Sequence, residues 1–296
     1  MSLVAFLGAV ELGFIYALVA LAVFLSFRVL DFPDLTVDGS FPLGAAVAAT
    51  AIVGGVNPYL ATAMAIVAGA MAGLVTAILN VRFKILGLLA SILTMIALYS
   101  INLRIMGKPN VALLTEPTVF TPFEPLLRGM WLRPLFAGIV AVAAVLLLGR
   151  FLSSAAGLAM RAVGVNRRMA EAQGIDLGRT TAAGMALSNG LVGLAGALFA
   201  QANGFADVTI GTGTIVVGLA SVIVGETILT GRSIYLLVTA CLLGSLLYRF
   251  AIALALEADF LGLQASDLNL ITAVLVGLAL ILPGARARLV GAAARA

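Results

Sequence analysis

The chain has 296 residues, 62% hydrophobic and 10% charged, with a net charge of +4 and a mean hydropathy of +1.18. Soluble domains carry roughly 25% charged residues, so this composition cannot cover a water-facing surface and excludes a soluble enzyme or a nucleic-acid-binding module. The absence of histidine and the lone Cys241, inside an apolar run, exclude a disulfide, argue against a zinc or haem site and remove the usual general base.

Apolar runs of the length of an α-helical crossing recur along the chain, and the short alternating segments of a membrane β-barrel are absent. The first run is Leu3–Phe27. No Lys or Arg precedes Arg28, so it lacks the basic start of a cleavable signal and is predicted as a retained span. Arg28 puts its far end in the cytoplasm and the N-terminus outside, because basic residues favour the cytoplasmic side. A polar break over residues 31–40 holds Asp31, Asp34 and Asp38 around Pro33 and Gly39. A short apolar segment, Phe41–Val56, ends at Asn57-Pro58. Span three, Tyr59–Asn80, carries Ala61, Ala65, Gly69 and Gly73 at every fourth position, a small-residue ridge on which another helix can pack closely.

Arg82 and Lys84 mark a cytoplasmic turn before span four, Leu86–Leu103. The polar segment Arg104–Pro134 falls outside by alternation, although Arg104, Lys108, Arg128 and Arg133 sit against that placement. Span five is Leu135–Phe151, span six Ala182–Gln201, span seven Thr214–Leu229, span eight Ile234–Leu256 and span nine Leu268–Leu282. Arg232 marks a cytoplasmic turn, Glu257, Asp259 and Asp267 an outside loop, and Arg286, Arg288 and Arg295 a cytoplasmic tail. The expected fold is an all-α, polytopic transmembrane bundle of roughly 8–10 spans, residues 1–296 forming one membrane domain with its C-terminus in the cytoplasm. Asp34-Leu-Thr-Val before the second segment is matched by Asp207-Val-Thr-Ile before span seven, which suggests an inverted repeat with broken helices.

The longest charged interruption of the second half lies between spans five and six, about residues 154–180. Asn166 reads as an N-cap for a helix over 167–173, Gly174 as its left-handed stop and Asp176 as the N-cap of the next span. Met169, Ala172 and Gln173 share one face of that helix. It is either a handle for a soluble partner or a plain connecting loop.

No phosphate-binding loop of the G-x-x-x-x-G-K-[ST] type and no G-x-S-x-G elbow exists; Gly107-Lys108 is followed by Pro109. No catalytic residue, metal ligand or cofactor is assigned. The 31–40 break lines either a solute route or an interfacial turn with Asp38 or Ser40 as N-caps. Glu11, Glu226 and Arg249 lie in apolar runs, Glu226 within reach of water. Ser188, Asn189 and Gln201 bond between helices or face the route.

Residues 157–166, Gly157-Leu-Ala-Met-Arg161-Ala-Val-Gly164-Val-Asn166, followed by Met169-Ala170 and Gly174-Ile175, resemble the cytoplasmic loop of bacterial ABC importer permeases of the branched-chain amino acid and ribose group. Asp34-Leu-Thr-Val-Asp-Gly-Ser40 is similar to that group's motif near the second span. Phe14-Ile-Tyr-Ala-Leu-Val-Ala-Leu is similar to its first-span pattern, and Val224-Gly-Glu-Thr-Ile-Leu-Thr-Gly-Arg232 to its late glycine-rich segment. Asp38 stands where the sugar branch of that group usually has glycine, Glu226 stands in a segment that is normally glycine-rich, and the Phe32–Gly39 stretch is nearer to a branch linked to aromatic amino acids. The resemblance implies a permease subunit in the bacterial inner membrane, moving an amino acid or similar polar solute. Its implied partners are a cytoplasmic ABC ATPase, a periplasmic or lipid-anchored binding protein, a second permease copy and the surrounding lipid. It implies ATPase coupling through Arg161, Asn166, Arg167, Arg168, Met169, Glu171 and Gly174. Asp34, Thr36, Asp38, Ser40 and Asn189 are the expected pathway residues. The competing reading is an ion-coupled carrier with Asp34, Asp38 or Glu226 as its ion site.

Overall fold

In lipid, hiding a large apolar side chain gains little, because lipid is as apolar as leucine; helices associate through small residues that let backbones approach. Helix α3 (Pro58–Val81) follows this rule. Ala61, Ala65, Gly69 and Gly73 are buried, while Leu60, Met64, Val67 and Met71 face outward. The ridge packs on α8 (Leu177–Asn203). A Cβ on Gly69 would collide with the Asn189 carbonyl, and one on Gly73 with the Met185 carbonyl. Gly73→Leu is therefore expected to lower the melting temperature in detergent by the cost of overpacking, about 1–3 kcal/mol, while Met64→Leu leaves it unchanged.

The computed structural model describes residues 3–124, 130–229, 231, 233–256, 274 and 277. Helix α1 (Leu3–Val23) runs on as a π-helical stretch, Phe24–Val29, and the chain is non-helical to Thr36. Then come α2 (Val37–Val53), α3, α4 (Gly87–Met106), β1 (Asn110–Ala112), a 3-10 turn at Thr121–Phe123 and α5 (Leu132–Leu152). Helices α6 (Ala155–Val165) and α7 (Arg167–Ala172) precede α8, followed by β2 (Phe205–Asp207), α9 (Thr214–Ile228) and α10 (Ile234–Leu256).

Among the described residues, six helical stretches are long and apolar enough to cross a membrane; α2 and α9 are shorter. The first eight predicted spans correspond to α1–α5 and α8–α10. Span nine, apart from residues 274 and 277, lies outside the described residues, as do Arg128, Arg232, Glu257, Asp259, Asp267 and the tail arginines. Helix α1 is central, buried from Ile15 through Leu25 and packed on α5, α8, α9 and α10. Helix α2 packs on α3 and α8, and α9 on α10 and α1.

Two expectations change. Helix α2 begins at Val37, not Phe41, because Thr36 is its N-cap and Gly39 and Ser40 already donate to the Thr36 carbonyl. Asp38 and Ser40 are therefore helical residues, not caps of α2, and their side chains are free for other elements. Residues 155–165, expected as loop, form α6. Ser154 accepts from the Gly157 N–H to start it, and Gly164 lies against the Val29 carbonyl.

The strands sit at one end of the bundle. Strand β1 pairs antiparallel with β2, Val111 opposite Ala206. Gln201 ties the intervening loop to the helices: its carbonyl accepts from Val119 N–H at 3.0 Å and its amide donates to Thr62 at 2.9 Å. Arg133 donates to the Ala202 carbonyl at 2.8 Å. Arg104 and Arg133, which argue by charge for the cytoplasm, thus belong to the segment that shares an end with the 204–213 turn. Pairing and packing, not charge, decide its place.

Candidate functional site

The break after α1 is closed by polar side chains that meet across three helices. Asp34 accepts from the Thr36 N–H at 2.9 Å and, with its other oxygen, from the Asn189 amide at 2.7 Å. The Asn189 carbonyl accepts from the Ser40 hydroxyl at 2.7 Å, and its amide also donates to Met185 O at 3.2 Å. The Thr36 and Thr76 hydroxyls share a bond of 2.8 Å. Asp34, Thr36, Ser40, Thr76 and Asn189 are all fully buried. Of the five expected pathway residues, four thus spend their polar groups on each other, on Thr76 and on backbone, tying the break, α2, α3 and α8 together.

Asp38 stands apart. It is half-buried, and its carboxylate accepts from Ile215 N–H at 2.7 Å and Gly213 N–H at 3.2 Å. These are first-turn donors of α9, whose own N-cap, Gly213, has no side chain. Asp38 therefore caps α9 from α2, satisfying orphan N–H groups and facing the positive end of the helix dipole. It also borders a cavity of about 400 Å³ together with Tyr99, Ser100 and Asn102 of α4 and Thr212. Sequence reasoning missed Asn102. Its signal was a buriable amide between Ile101 and Leu103 in an apolar run.

The second break repeats the local chemistry of the first. Asp207 accepts from the Thr209 N–H at 2.7 Å, as Asp34 does from Thr36. Burial pushes the Asp207 carboxyl up, but the Thr209 hydroxyl at 2.6 Å, the Thr209 N–H and Asn110 outweigh it and hold the group below the usual carboxylate range.

At the opposite end from the strands stands α7. Asn166 accepts from the Met169 N–H at 3.0 Å and starts it. Gly174, at φ +81°, donates to Glu171 O, and Ile175 donates to Ala170 O, the paired bonds of a Schellman stop. Asp176 then accepts from the Arg179 N–H at 3.0 Å and starts α8. Ala170 is buried and anchors the helix, while Arg167, Arg168, Met169 and Glu171 are exposed. Arg167 and Glu171 also border a cleft of about 690 Å³ with Asp31, Lys84 and Asp176.

Arg161, half-buried on α6, belongs to a different hollow. It borders a cavity of about 670 Å³ with Arg28 and Glu226. Glu226 is paired: Arg28 grips it with two bonds, Nε to Oε1 at 2.9 Å and a second from the other guanidinium nitrogen. The pair joins the end of α1 to α9. Glu226→Arg is expected to cost about 1 kcal/mol of stability, the upper range for a solvent-reached pair. The double variant Arg28→Glu/Glu226→Arg should regain most of it in a detergent melting assay, and additive losses would reject the pairing.

A model of the family described as branched-chain amino acid transport system permease component matches residues 6–283. A tyrosine transport system permease protein of Clostridioides difficile (strain R20291) is 41% identical over 263 residues, spanning 88% of this chain and 85% of the relative. An uncharacterized protein of Rickettsia prowazekii (strain Madrid E) is 34% identical over 283 residues, 92% of this chain and 95% of the relative. The fold is similar to that solved for PsaBC from Streptococcus pneumoniae in complex with Fab, with a TM-score of 0.53 over 93% of this chain and 89% of that one; at 16% identity this speaks to fold alone. The match across nearly the whole chain and the bundle of apolar helices agree: the protein is a multi-pass membrane permease component and belongs to the branched-chain amino acid transport system permease family.

Proposed function

We propose that this chain is the permease subunit of an ABC importer in a bacterial inner membrane, and that it passes an amino acid of the tyrosine type. A separate cytoplasmic ATPase drives it, a binding protein outside delivers the solute, and a second permease copy completes the pathway. The chain works as one transmembrane unit, with residues 154–180 as the coupling element. The observation that carries the reading is α7: a six-residue helix, capped at both ends by its own sequence, whose side chains Arg167, Arg168, Met169 and Glu171 are exposed. A helix this short is marginal unless something holds its shape, and a cap, a Schellman stop and one buried alanine hold it for a partner. ATPase closure would draw such helices together and switch access to the pathway from outside to inside.

The test is uptake of L-tyrosine into proteoliposomes holding the permease, its ATPase and its binding protein. ATP inside the ATPase-facing compartment should support accumulation, and an imposed proton or sodium gradient without ATP should not. Gradient-driven uptake by the purified permease alone would establish the ion-coupled carrier instead.

A further inference from the structure

We propose that the cavity between α2, α4 and the turn before α9 seats the ammonium group of the passing solute, with Asp38 and Asn102 as its acceptors. The proposal rests on the importer reading for the identity of the solute, but its chemistry comes from the cavity itself.

The cavity, about 400 Å³, lies in the range of small-molecule sites. Its polar lining is one carboxylate, Asp38, with groups that can accept as well as donate: the Asn102 amide and the hydroxyls of Tyr99, Ser100 and Thr212. Among the described residues no lysine or arginine lines it. Among the described residues no basic side chain bonds Asp38; its partners are two backbone N–H groups. Asn102 is fully buried, and its amide donates to the Gly39 carbonyl at 3.2 Å. Its carbonyl oxygen has no hydrogen-bond partner among the described residues. An orphan acceptor of this kind costs about 1–3 kcal/mol, a cost that a donor lodged against Asn102 removes. A carboxylate bearing no cation and an unsatisfied carbonyl on facing helices favour a compact cation with several N–H donors. They disfavour an anion. Met95, Ile96 and Pro42 supply apolar walls for the carbon skeleton.

The position adds a consequence. Asp38 holds the first turn of α9, so an ammonium drawn to its carboxylate competes with the Gly213 and Ile215 N–H groups. Occupancy of the cavity is thereby felt at the start of a helix that packs on α1 and α10. The rival account is that Asp38 is a helix cap and nothing more. Asp38→Asn separates the two, because its amide oxygen can still accept one of the two N–H bonds that cap α9 while the charge is gone.

The experiment uses the full-length permease in detergent, with Cys241→Ala to remove the native thiol and Ser100→Cys as a reporter on the cavity wall. Cationic trimethylammonium-ethyl and anionic sulfonato-ethyl methanethiosulfonates are compared, each normalised to its rate with a free thiol. The cationic reagent is expected to react about tenfold faster, the ratio that about 1.4 kcal/mol of local potential produces. Ethylammonium should slow it and acetate should not. Asp38→Asn should bring the normalised ratio to near one with a smaller fall in melting temperature than Asp38→Ala, since it keeps the bond from Ile215 N–H and Asp38→Ala loses the cap altogether. A preference that survives Asp38→Asn, equal rates in the parent, or a thiol that neither reagent reaches would each overturn the proposal. None of these readouts involves ATP, so failure of the importer reading is seen separately in the uptake assay.

Discussion

Met169→Asp is expected to leave the protein inserted and folded, with its melting temperature unchanged, and to abolish ATP-driven uptake in the reconstituted importer. Met169 is 61% exposed, and substitutions at such positions shift stability by about 0.5 kcal/mol or less. In a docked complex the same side chain would be buried. Burying a methionine is worth about 1.5–3 kcal/mol, and an aspartate in its place must also be desolvated. A combined loss near 3 kcal/mol weakens docking about 100-fold. Gly174→Pro attacks the same handle by geometry. Proline cannot reach φ +81°, and it removes the N–H that bonds Glu171 O. Uptake and permease-stimulated ATPase activity, measured on the same preparation, check both variants. Unchanged coupling in Met169→Asp and Gly174→Pro would reject α7 as the contact for the ATPase.

Asn189→Leu is expected to be the most destabilising substitution in the membrane region. It strips the Asp34 carboxylate of one donor and the Ser40 hydroxyl of its acceptor in a place no water reaches. Leaving a buried polar group without its hydrogen-bond partner costs about 1–3 kcal/mol for each group, enough to lose much of the folded protein from the membrane. The remedy follows from the same physics: replacing both partners by apolar groups is often close to neutral. The double variant Asp34→Leu/Asn189→Leu should therefore regain part of the stability, the Thr36 N–H and the Ser40 hydroxyl still lacking their acceptors. It also decides the role of the cluster. If these residues only fasten α2 to α8, the double variant will transport as well as fold. If they line the solute route when the breaks move apart, it will fold and fail to transport. A double variant no more stable than Asn189→Leu would refute the account of the network.

Much of the bundle is written in local pattern. Apolar length places α1, α3–α5, α8 and α10, because a crossing helix satisfies its backbone internally and needs only about 20 apolar residues. The caps of α7 and α8 are legible for the same reason. Asn166, Gly174 and Asp176 act within four residues of themselves, so their chemistry is contained in a short window. The ridge of α3 is legible too, since spacing alone sets which residues share a face.

The start of α2, the existence of α6 and the roles of Asp38 and Asn102 were not legible, and each depends on a partner distant in the chain. Asp38 reads as a cap for its own helix; it caps a helix 175 residues away, because α9 begins with a glycine that offers no side chain. Asn102 reads as one polar residue among many until α4 lies beside Gly39. The loop between α4 and α5 is placed by β1 pairing with β2 and by Gln201, partners far away in the chain.

By itself, then, the order of residues determined that this protein lives in a membrane, which stretches cross it, and where a short helix is held out between two of them. Those properties follow from the hydration of backbone and side chains one segment at a time. Only the tertiary structure decided that Asp34, Ser40 and Asn189 close upon each other while Asp38 and Asn102 border a cavity. Hydrogen bonds between helices depend on rotation and depth about axes that packing alone fixes, and no local pattern records them.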